Sequence, residues 1–262
     1  MNRLGPIGIF DSGIGGTSIW KEIRALMPNE DTLYLADSKH APYGTKSPEQ
    51  IIALCKKNTD YLIAQGCKII VVACNTATTN AIDYLRANYQ LPFIGIEPAI
   101  KPAALQTKTN SIGILATQGT LSSALFSTTQ TAFASDVQVI EIVGEGLVPL
   151  IESGDLDSPE VAQLLKRYLD PMIKANIDYL VLGCSHYPYL LPVIKQILPA
   201  AVTVIDSGLA VAKQTKHILE ANDLLNSNSH PSAKFLTNAS DTALKTVLAD
   251  YSQSINVQIE NF

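Results

Sequence analysis

Charge is scarce in this chain, and neither basic clusters nor long apolar runs occur. Of 262 residues, 16% are charged and 47% hydrophobic, and the formal net charge is −5. Nucleic-acid backbones bind clustered Lys and Arg, so this composition argues against a nucleic-acid partner. The apolar runs are far shorter than the roughly 20 residues of a membrane helix, so no membrane partner is expected. The length predicts a soluble globular protein with a sizeable core, in one large domain or two ordinary ones.

Cysteines are also few, and their spacing excludes the common metal sites. Four are present, with no C-x-x-C motif and no His/Cys cluster with the spacing of metal ligands, so no metal is predicted. The start of the chain, Met1 to Pro6, lacks the apolar core of a signal peptide, so we expect a cytoplasmic protein with reduced thiols. Cys55 and Cys67 fit helical and strand contexts in which a free cysteine is a small buried hydrophobe.

The other two cysteines, Cys74 and Cys184, each end an apolar run. These runs extend over Ile69 to Thr76 and over Tyr179 to His186. Such runs are typical of strands covered on both faces in a parallel sheet, and open α/β sheets bind ligands at the carboxyl ends of their strands. Either cysteine could instead be a small residue that fits a tight strand-to-helix turn. Their matching positions favour one site with two sulfurs.

The two halves of the chain resemble copies of one another. Pro6 to Gly13 matches Ser111 to Gln118, and Thr32 to Ala36 matches Val137 to Ile142. Further strands are expected at 93–96 and 202–205, and helices at 17–27, 48–65, 159–175 and 209–221, with Ser158 as an N-cap. Alternating strands and helices predict an α/β protein of two pseudo-symmetric, doubly wound parallel-sheet domains, with the active site in the cleft between them.

The predicted domain limits follow from where the repeat ends. The first domain is expected to comprise residues 1–97 plus 209–262, and the second residues 98–208. A polar stretch rich in Asn and Ser at 222–233 reads as a loop. The segments 235–237 and 255–259 are expected to be strands that return to the first domain.

Each of the two cysteines leads into a predicted helix N-terminus. Asn75 and Ser185 are the capping candidates, and Pro188 suits a first turn. The unpaired N–H groups and the helix dipole stabilise an anion there, so both thiols are expected to ionise more readily than a free cysteine.

A glycine-rich loop, Asp11 to Gly16, follows the first strand. Its glycines allow backbone N–H groups to turn inward and bind a carboxylate or phosphate, although it matches neither G-x-G-x-x-G nor a P-loop. Asp11 is expected near Cys74, and His186 follows Cys184 by two residues, so each thiol gains one titratable neighbour. The alternatives are an Asx turn for Asp11 and a packed histidine for His186.

Two thiols from two related halves suit one particular kind of reaction. A base on each side of a carbon can remove a proton from one face and return a proton to the other. One sulfur must be ionised and the other protonated before each turnover. This arrangement predicts racemisation without a cofactor.

Five stretches of the sequence together carry a resemblance to a known family. They are Phe10 to Gly16, Ala36 to Gly44, Ala73 to Thr78, Gly95 to Ala99 and Gly183 to Pro188. In these stretches the chain resembles the cofactor-independent glutamate racemases of the aspartate/glutamate racemase superfamily. Ser185 departs from the family, which usually has Thr there, but the hydroxyl is kept.

The resemblance implies interconversion of L- and D-glutamate, which supplies D-glutamate for peptidoglycan, by a homodimer that needs no cofactor. Cys74 and Cys184 would be the proton donor and acceptor, Asp11 and His186 their assistants, and Glu152 a further acidic helper. Residues at matching positions would bind glutamate: Asp11, Ser12, Pro42, Tyr43, Gly44, Asn75, Thr76, Thr120, Ser185 and His186. Glu152 could instead be a solvated helix residue.

Three other functions remain open from the sequence. The same scaffold could act on aspartate or another α-substituted acid. A two-domain binding protein would also enclose a small ligand, but two thiols would serve no binding purpose. A Cys-His hydrolase built on Cys184 and His186 leaves Cys74 unexplained and predicts that Cys74→Ala stays active.

Overall fold

The computed structural model describes residues 3–262, and its strands form two parallel sheets. The strands of this part of the chain are β1 (Ile7–Asp11), β2 (Thr32–Ala36), β3 (Ile69–Val72), β4 (Phe93–Gly95), β5 (Ser111–Ala116), β6 (Gln138–Val143), β7 (Tyr179–Gly183), β8 (Thr203–Ile205), β9 (Ala233–Thr237) and β10 (Asn256–Ile259). The first sheet has the order β10-β9-β2-β1-β3-β4, and the second has the order β6-β5-β7-β8. The predicted two-sheet α/β fold is confirmed.

The repeat in the sequence reappears in the strand order. In both sheets the first strand of the half lies between the second and the third, and the fourth lies outside the third. All pairings are parallel, as in β1 with β3 and β5 with β7. Strands β9 and β10 extend the first sheet beyond β2, as predicted from the weak pattern at the chain's end. The domain limits at 97/98 and 208/209 stay a prediction.

Helices connect the strands and cover both faces of the sheets. In the described residues they are α1 (Thr17–Leu26), α2 (Pro48–Ala64), α3 (Asn75–Asn88), α4 (Ile100–Gln106), α5 (Gln118–Leu121), α6 (Ala124–Phe133), α7 (Leu147–Glu152), α8 (Pro159–Lys174), α9 (Leu191–Ile197), α10 (Gly208–Ala221) and α11 (Thr242–Val247). Short 3₁₀ turns span Ser38–His40, Tyr43–Thr45, Tyr187–Leu190 and Ala249–Tyr251. None of the helices in residues 3–262 is long and apolar enough to cross a membrane.

Local sequence signals explain where the long helices begin. At α2, Ser47 and Gln50 form a capping box, and Pro48 occupies the first turn. Ser158 caps α8 through the N–H of Val161, as predicted. The prediction that Asn75 and Ser185 cap the helices after the two cysteines is wrong. Cys74 itself caps α3, and the chain after Cys184 forms a 3₁₀ turn before α9 begins.

The inner strands are buried because helices cover both of their faces. In β1, Ile7 and Ile9 join an apolar cluster that runs on to Leu180 and Leu182 of β7, whereas Phe10 faces a second cluster. The apolar core is thus continuous between the two sheets on one side. This packing brings the carboxyl ends of β1 and β3 opposite those of β5 and β7.

Candidate active site

The two cysteines line one small cavity where the two sheets face each other. Cys74 lies just beyond the end of β3, and Cys184 directly follows β7. The cavity has about 10 Å³ of free volume, room for one water molecule. Its lining residues are Ser12, Pro42, Tyr43, Gly44, Cys74, Asn75, Thr76, Thr117, Val148, Cys184, Ser185 and His186.

Cys74 is buried among hydroxyl and backbone groups. Its Sγ accepts a hydrogen bond from the N–H of Ala77 at 3.5 Å and lies 3.6 Å from Ser12 Oγ. Burial, together with the charge of Asp11, raises the pKa of Cys74 far above its ordinary value, and the bonds from Ala77 and Ser12 offset little of this. The expectation of a readily ionised thiol is therefore wrong for Cys74. The closed cavity desolvates the sulfur more than the helix N-terminus stabilises it.

Cys184 has an imidazole and a carboxylate behind it. Its Sγ lies 3.8 Å from His186 Nδ1, and His186 Nε2 lies 2.5 Å from Glu152 Oε1. Burial lowers the pKa of His186, but its hydrogen bonds to Cys184 and Glu152 and the charges of Asp11 and Glu152 outweigh burial and raise that pKa well above its usual value. The imidazole therefore carries a proton at neutral pH.

Glu152 is held as a carboxylate by three donors. Burial favours the neutral acid, but the bonds from His186, from the N–H of Ile14 at 2.7 Å and from Ser38 Oγ at 3.0 Å outweigh burial and lower the pKa of Glu152. Two of these donors, Ile14 and Ser38, belong to the first half of the chain, whereas Glu152 ends α7 in the second half. The carboxylate thus joins the two halves.

Asp11 lies behind Ser12 and also touches the second half. Its Oδ1 accepts a hydrogen bond from Ser185 Oγ at 2.8 Å, and its Oδ2 accepts one from the N–H of Gly13 at 2.8 Å and lies 3.5 Å from Ser12 Oγ. Burial raises the pKa of Asp11 to about 6, although His186 and Ser185 act in the opposite direction. Asp11 therefore titrates close to neutral pH.

The glycine-rich loop makes room for the protein's own acid and base. A Cβ atom at Gly13 would lie 1.9 Å from Glu152 Oε1, and one at Gly15 would lie 2.3 Å from His186 Nδ1. No larger residue fits either position while those side chains stay in place. The loop does bind a carboxylate through a backbone N–H, as predicted, but the carboxylate belongs to Glu152.

Several other residues of the cavity wall carry polar, uncharged side chains. The Tyr43 hydroxyl donates a hydrogen bond to Asp37 at 2.5 Å. Thr76 Oγ1 of α3 lies 2.7 Å from Thr117 Oγ1 in the other half. Both polar atoms of the Asn75 side chain are buried and lack a hydrogen-bond partner within residues 3–262. A buried amide without partners is costly, so Asn75 is the wall group most in need of a polar ligand.

Most of the predicted site residues line this cavity, and three lie behind it. Asp11 and Glu152 contact lining residues, and Thr120 is buried against Thr76 and Thr117 at 3.3 and 3.0 Å. Sequence reasoning missed Thr117, although it directly follows β5 as Ser12 follows β1, so the repeat itself could have identified it. It also missed the apolar Val148, for which no sequence signal exists. No group of His, Cys, Asp and Glu side chains in the described chain could hold a metal ion.

Comparisons with known proteins identify the family of this chain. Residues 17–215 match the family model described as Asp/Glu/Hydantoin racemase. The chain belongs to this racemase family. It is also 51% identical over 221 residues to the glutamate racemase of Pseudomonas syringae pv. tomato, a match that covers 84% of this chain and 80% of the relative. The chain is accordingly an amino-acid racemase, as the resemblance implied.

Solved racemase structures share the whole fold. Glutamate racemase isoform RacE1 from Bacillus anthracis matches with a TM-score of 0.87 at 30% identity, over 100% of this chain and 99% of that one. The glutamate racemase of Francisella tularensis, solved in complex with D-glutamate, matches with a TM-score of 0.85 at 31% identity, over 99% and 98% of the two chains. The likeness includes both sheets and therefore the cleft between them.

Proposed function

We propose that this racemase interconverts L- and D-glutamate by moving protons between Cα and two thiols, Cys74 and Cys184. The observation that carries the proposal is that both thiols line one cavity and that each has a titratable group nearby, His186 beside Cys184 and Asp11 beyond Ser12 from Cys74. The relatives named as glutamate racemases, one of them bound to D-glutamate, support glutamate as the substrate.

In one direction of the reaction, Cys184 removes the Cα proton, and Cys74 donates its own proton to the opposite face. Its raised pKa keeps the Cys74 thiol protonated at neutral pH, which suits the donor. In the reverse direction the two thiols exchange roles. His186 passes protons to and from Cys184, and Asp11 serves Cys74 through the hydroxyl of Ser12.

The polar wall is suited to a small amino acid with two carboxylates. The Asn75 amide, which has no partner within residues 3–262, and the hydroxyls of Ser12 and Thr76 supply donors around the cavity. The hydroxyls of Tyr43 and Ser185 already donate to Asp37 and Asp11, so they offer the substrate an acceptor oxygen. Hydrogen bonds to a charged acceptor are the stronger kind, so such donors favour carboxylate oxygens. The wall is completed by Pro42, Gly44 and His186. Three residues behind the wall support it through contacts with lining residues: Asp11, Thr120 and Glu152.

Binding requires the two halves to separate, because the cavity holds only about one water molecule. A wider cavity of about 540 Å³ adjoins it and shares Pro42, Gly44, Thr117 and Val148 with its wall. We propose that glutamate reaches the thiols from this side. The contact between Thr76 and Thr117 would open during binding.

The decisive experiment is incubation of the protein with L-glutamate in deuterated water without pyridoxal phosphate. The product should be D-glutamate with deuterium at Cα, and Cys74→Ala and Cys184→Ala should each abolish interconversion. L-Aspartate serves as the control substrate and tests the substrate assignment. Racemisation that requires added pyridoxal phosphate, or normal turnover by either variant, would contradict the proposal.

The resemblance extends the proposal beyond the reaction itself. A cytoplasmic homodimer would supply D-glutamate for peptidoglycan, and the enzyme would use no cofactor. Light scattering of the purified protein tests the dimer. Depletion of the protein in its host, with and without added D-glutamate, tests the role in the cell wall.

A further inference from the structure

Ser38 lies outside the cavity and belongs to none of the predicted catalytic groups, yet it contacts the catalytic machinery. It begins the 3₁₀ turn that follows β2, in the first half of the chain, and its side chain is half-buried. Its hydroxyl donates a hydrogen bond of 3.0 Å across the cleft to Glu152 Oε2. The two residues are 114 positions apart in sequence, so only the folded, closed molecule brings them together.

The two oxygens of Glu152 have different partners. Oε1 accepts hydrogen bonds from His186 Nε2 at 2.5 Å and from the N–H of Ile14 at 2.7 Å. Within residues 3–262, Ser38 is the one hydrogen-bond donor to Oε2. Without Ser38, only the two hydrogen bonds to Oε1 would oppose rotation of the carboxylate about its last bond. A rotation of this kind would move Oε1 away from His186 Nε2.

We propose that Ser38 is a positioning residue, which holds Glu152 so that Glu152 orients His186 against Cys184. The inference rests on the proposed racemase mechanism and deepens the account of its Cys184 side. Proton transfer is sensitive to small displacements, and His186 Nδ1 already lies 3.8 Å from the sulfur. Because Ser38 and Glu152 come from different halves, the contact also makes the Cys184 side complete only when the cleft is closed.

The hydrogen bond has a second effect on the same carboxylate. Ser38 contributes to keeping the pKa of Glu152 low, although burial acts in the opposite direction and His186 contributes more. An ionised Glu152 keeps the proton on His186, from which it can reach Cys184. Loss of the hydroxyl should therefore impair proton transfer at Cys184 and leave the Cys74 side intact.

Isotope effects separate the two sides of a racemase, whereas rates alone do not. L- and D-glutamate have equal free energies, so kcat/KM must fall equally in both directions for any variant. A slower proton transfer at Cys184 raises the primary isotope effect with 2-deuterated substrate in the direction in which Cys184 removes the proton. The same change lowers the effect in the other direction, because removal by Cys74 then limits the rate less.

For Ser38→Ala we expect kcat/KM to fall roughly 10-fold in both directions, as befits one hydrogen bond to a charged group. The primary isotope effect should rise in one direction and fall in the other, and Glu152→Gln defines which direction belongs to Cys184. Ser38→Thr keeps the hydroxyl and should restore the wild-type pattern. Ser38→Gly is a second variant without the hydroxyl, and thermal unfolding verifies that each variant folds.

Ser18→Ala is the matched control. Ser18 also bridges the halves, but among the described residues its hydroxyl bonds only the carbonyls of Gly15 and Ser185, at 2.9 and 3.0 Å. The Ser18→Ala substitution should change the isotope effects equally in both directions or leave them unchanged. An unchanged kcat/KM for Ser38→Ala, or isotope effects that change equally in both directions, would overturn the role of Ser38. A wild-type protein that does not racemise glutamate without a cofactor would instead overturn the proposed function.

Discussion

Cys74 and Cys184 occupy equivalent ends of equivalent strands, yet their surroundings differ. Cys74 is next to a hydroxyl, Ser12, and a carboxylate, Asp11, whereas Cys184 is next to an imidazole, His186, which Glu152 supports. The related halves share the position of the sulfur but have different proton partners. The proposed mechanism holds one thiol protonated and the other ionised before each turnover, and different neighbours suit that requirement.

Neither half completes its own side of the site. Asp11 of the first half accepts a hydrogen bond from Ser185 of the second, and Glu152 of the second half accepts bonds from Ile14 and Ser38 of the first. Each side of the site is therefore complete only when the cleft is closed. Substitutions at His186 and Asp11 test whether the two sides nevertheless act as separate proton relays.

Among substitutions that keep both thiols, the largest effect is expected for His186→Gln, because glutamine can still contact Glu152 but cannot carry the proton. We expect kcat/KM to fall by about 10³-fold, within the range of general acid–base catalysis. The isotope effect with 2-deuterated glutamate should rise in the direction in which Cys184 removes the proton and fall in the other. His217→Gln, on α10 and away from the cavity wall, is the control and should leave both directions unchanged. Equal isotope effects in the two directions would contradict separate relays.

Asp11→Asn should change the isotope effects in the opposite sense, because we propose that Asp11 serves Cys74. We expect a fall of about 10²-fold in kcat/KM at neutral pH. In the wild type, activity should fall as the pH drops through about 6, where Asp11 becomes protonated and can no longer accept a proton. A pH–rate profile measures this limb. An identical limb in Asp11→Asn would show that another group causes it.

The same substitution should stabilise the fold at neutral pH. Burial raises the pKa of Asp11 from 3.8 to about 6, so its stabilising contribution is present below pH 4 and is lost as the pH rises through 6. Between pH 4 and pH 8, Asp11→Asn should gain up to roughly 3 kcal/mol relative to the wild type, since each pKa unit corresponds to about 1.4 kcal/mol. Urea unfolding at several pH values measures the gain.

Asp178 supplies a control of opposite sign for this stability effect. Hydrogen bonds from Thr107 and from the N–H groups of Lys108 and Thr109 lower the pKa of Asp178, although its slight burial acts the other way. Its stabilising contribution is therefore present at neutral pH and is lost as the pH falls. Asp178→Asn should lose stability at pH 8. A gain for both variants would mean that the effect is not specific to the buried Asp11.

The fold was predictable because the inner strands carry short apolar runs and each half repeats the order of the other. Ser158 marked the start of α8 correctly, since capping depends on a few neighbouring residues. The sulfur positions were predictable for the same reason, as each ends a buried strand. Thr117 could also have been predicted as a site residue, because it occupies the position in the second half that Ser12 occupies in the first.

Other features of the site depend on the closed tertiary structure. The raised pKa of Cys74 results from burial, which no local helix signal reports. The sequence predicted that the glycines at 13 and 15 make room for a ligand. In the structure they make room for the side chains of Glu152 and His186, which lie more than 130 residues away in sequence. No sequence motif predicts the contact between Ser38 and Glu152.

The most direct test of the two-sided account is solvent exchange at Cα in the single alanine variants. In deuterated water, Cys74→Ala should exchange the Cα proton of one enantiomer without inverting it, since Cys184 alone can remove and return it on one face. Cys184→Ala should exchange only the other enantiomer, again without inversion. Nuclear magnetic resonance of each enantiomer measures the label. Exchange of the same enantiomer by both variants would contradict thiols that act on opposite faces of one carbon.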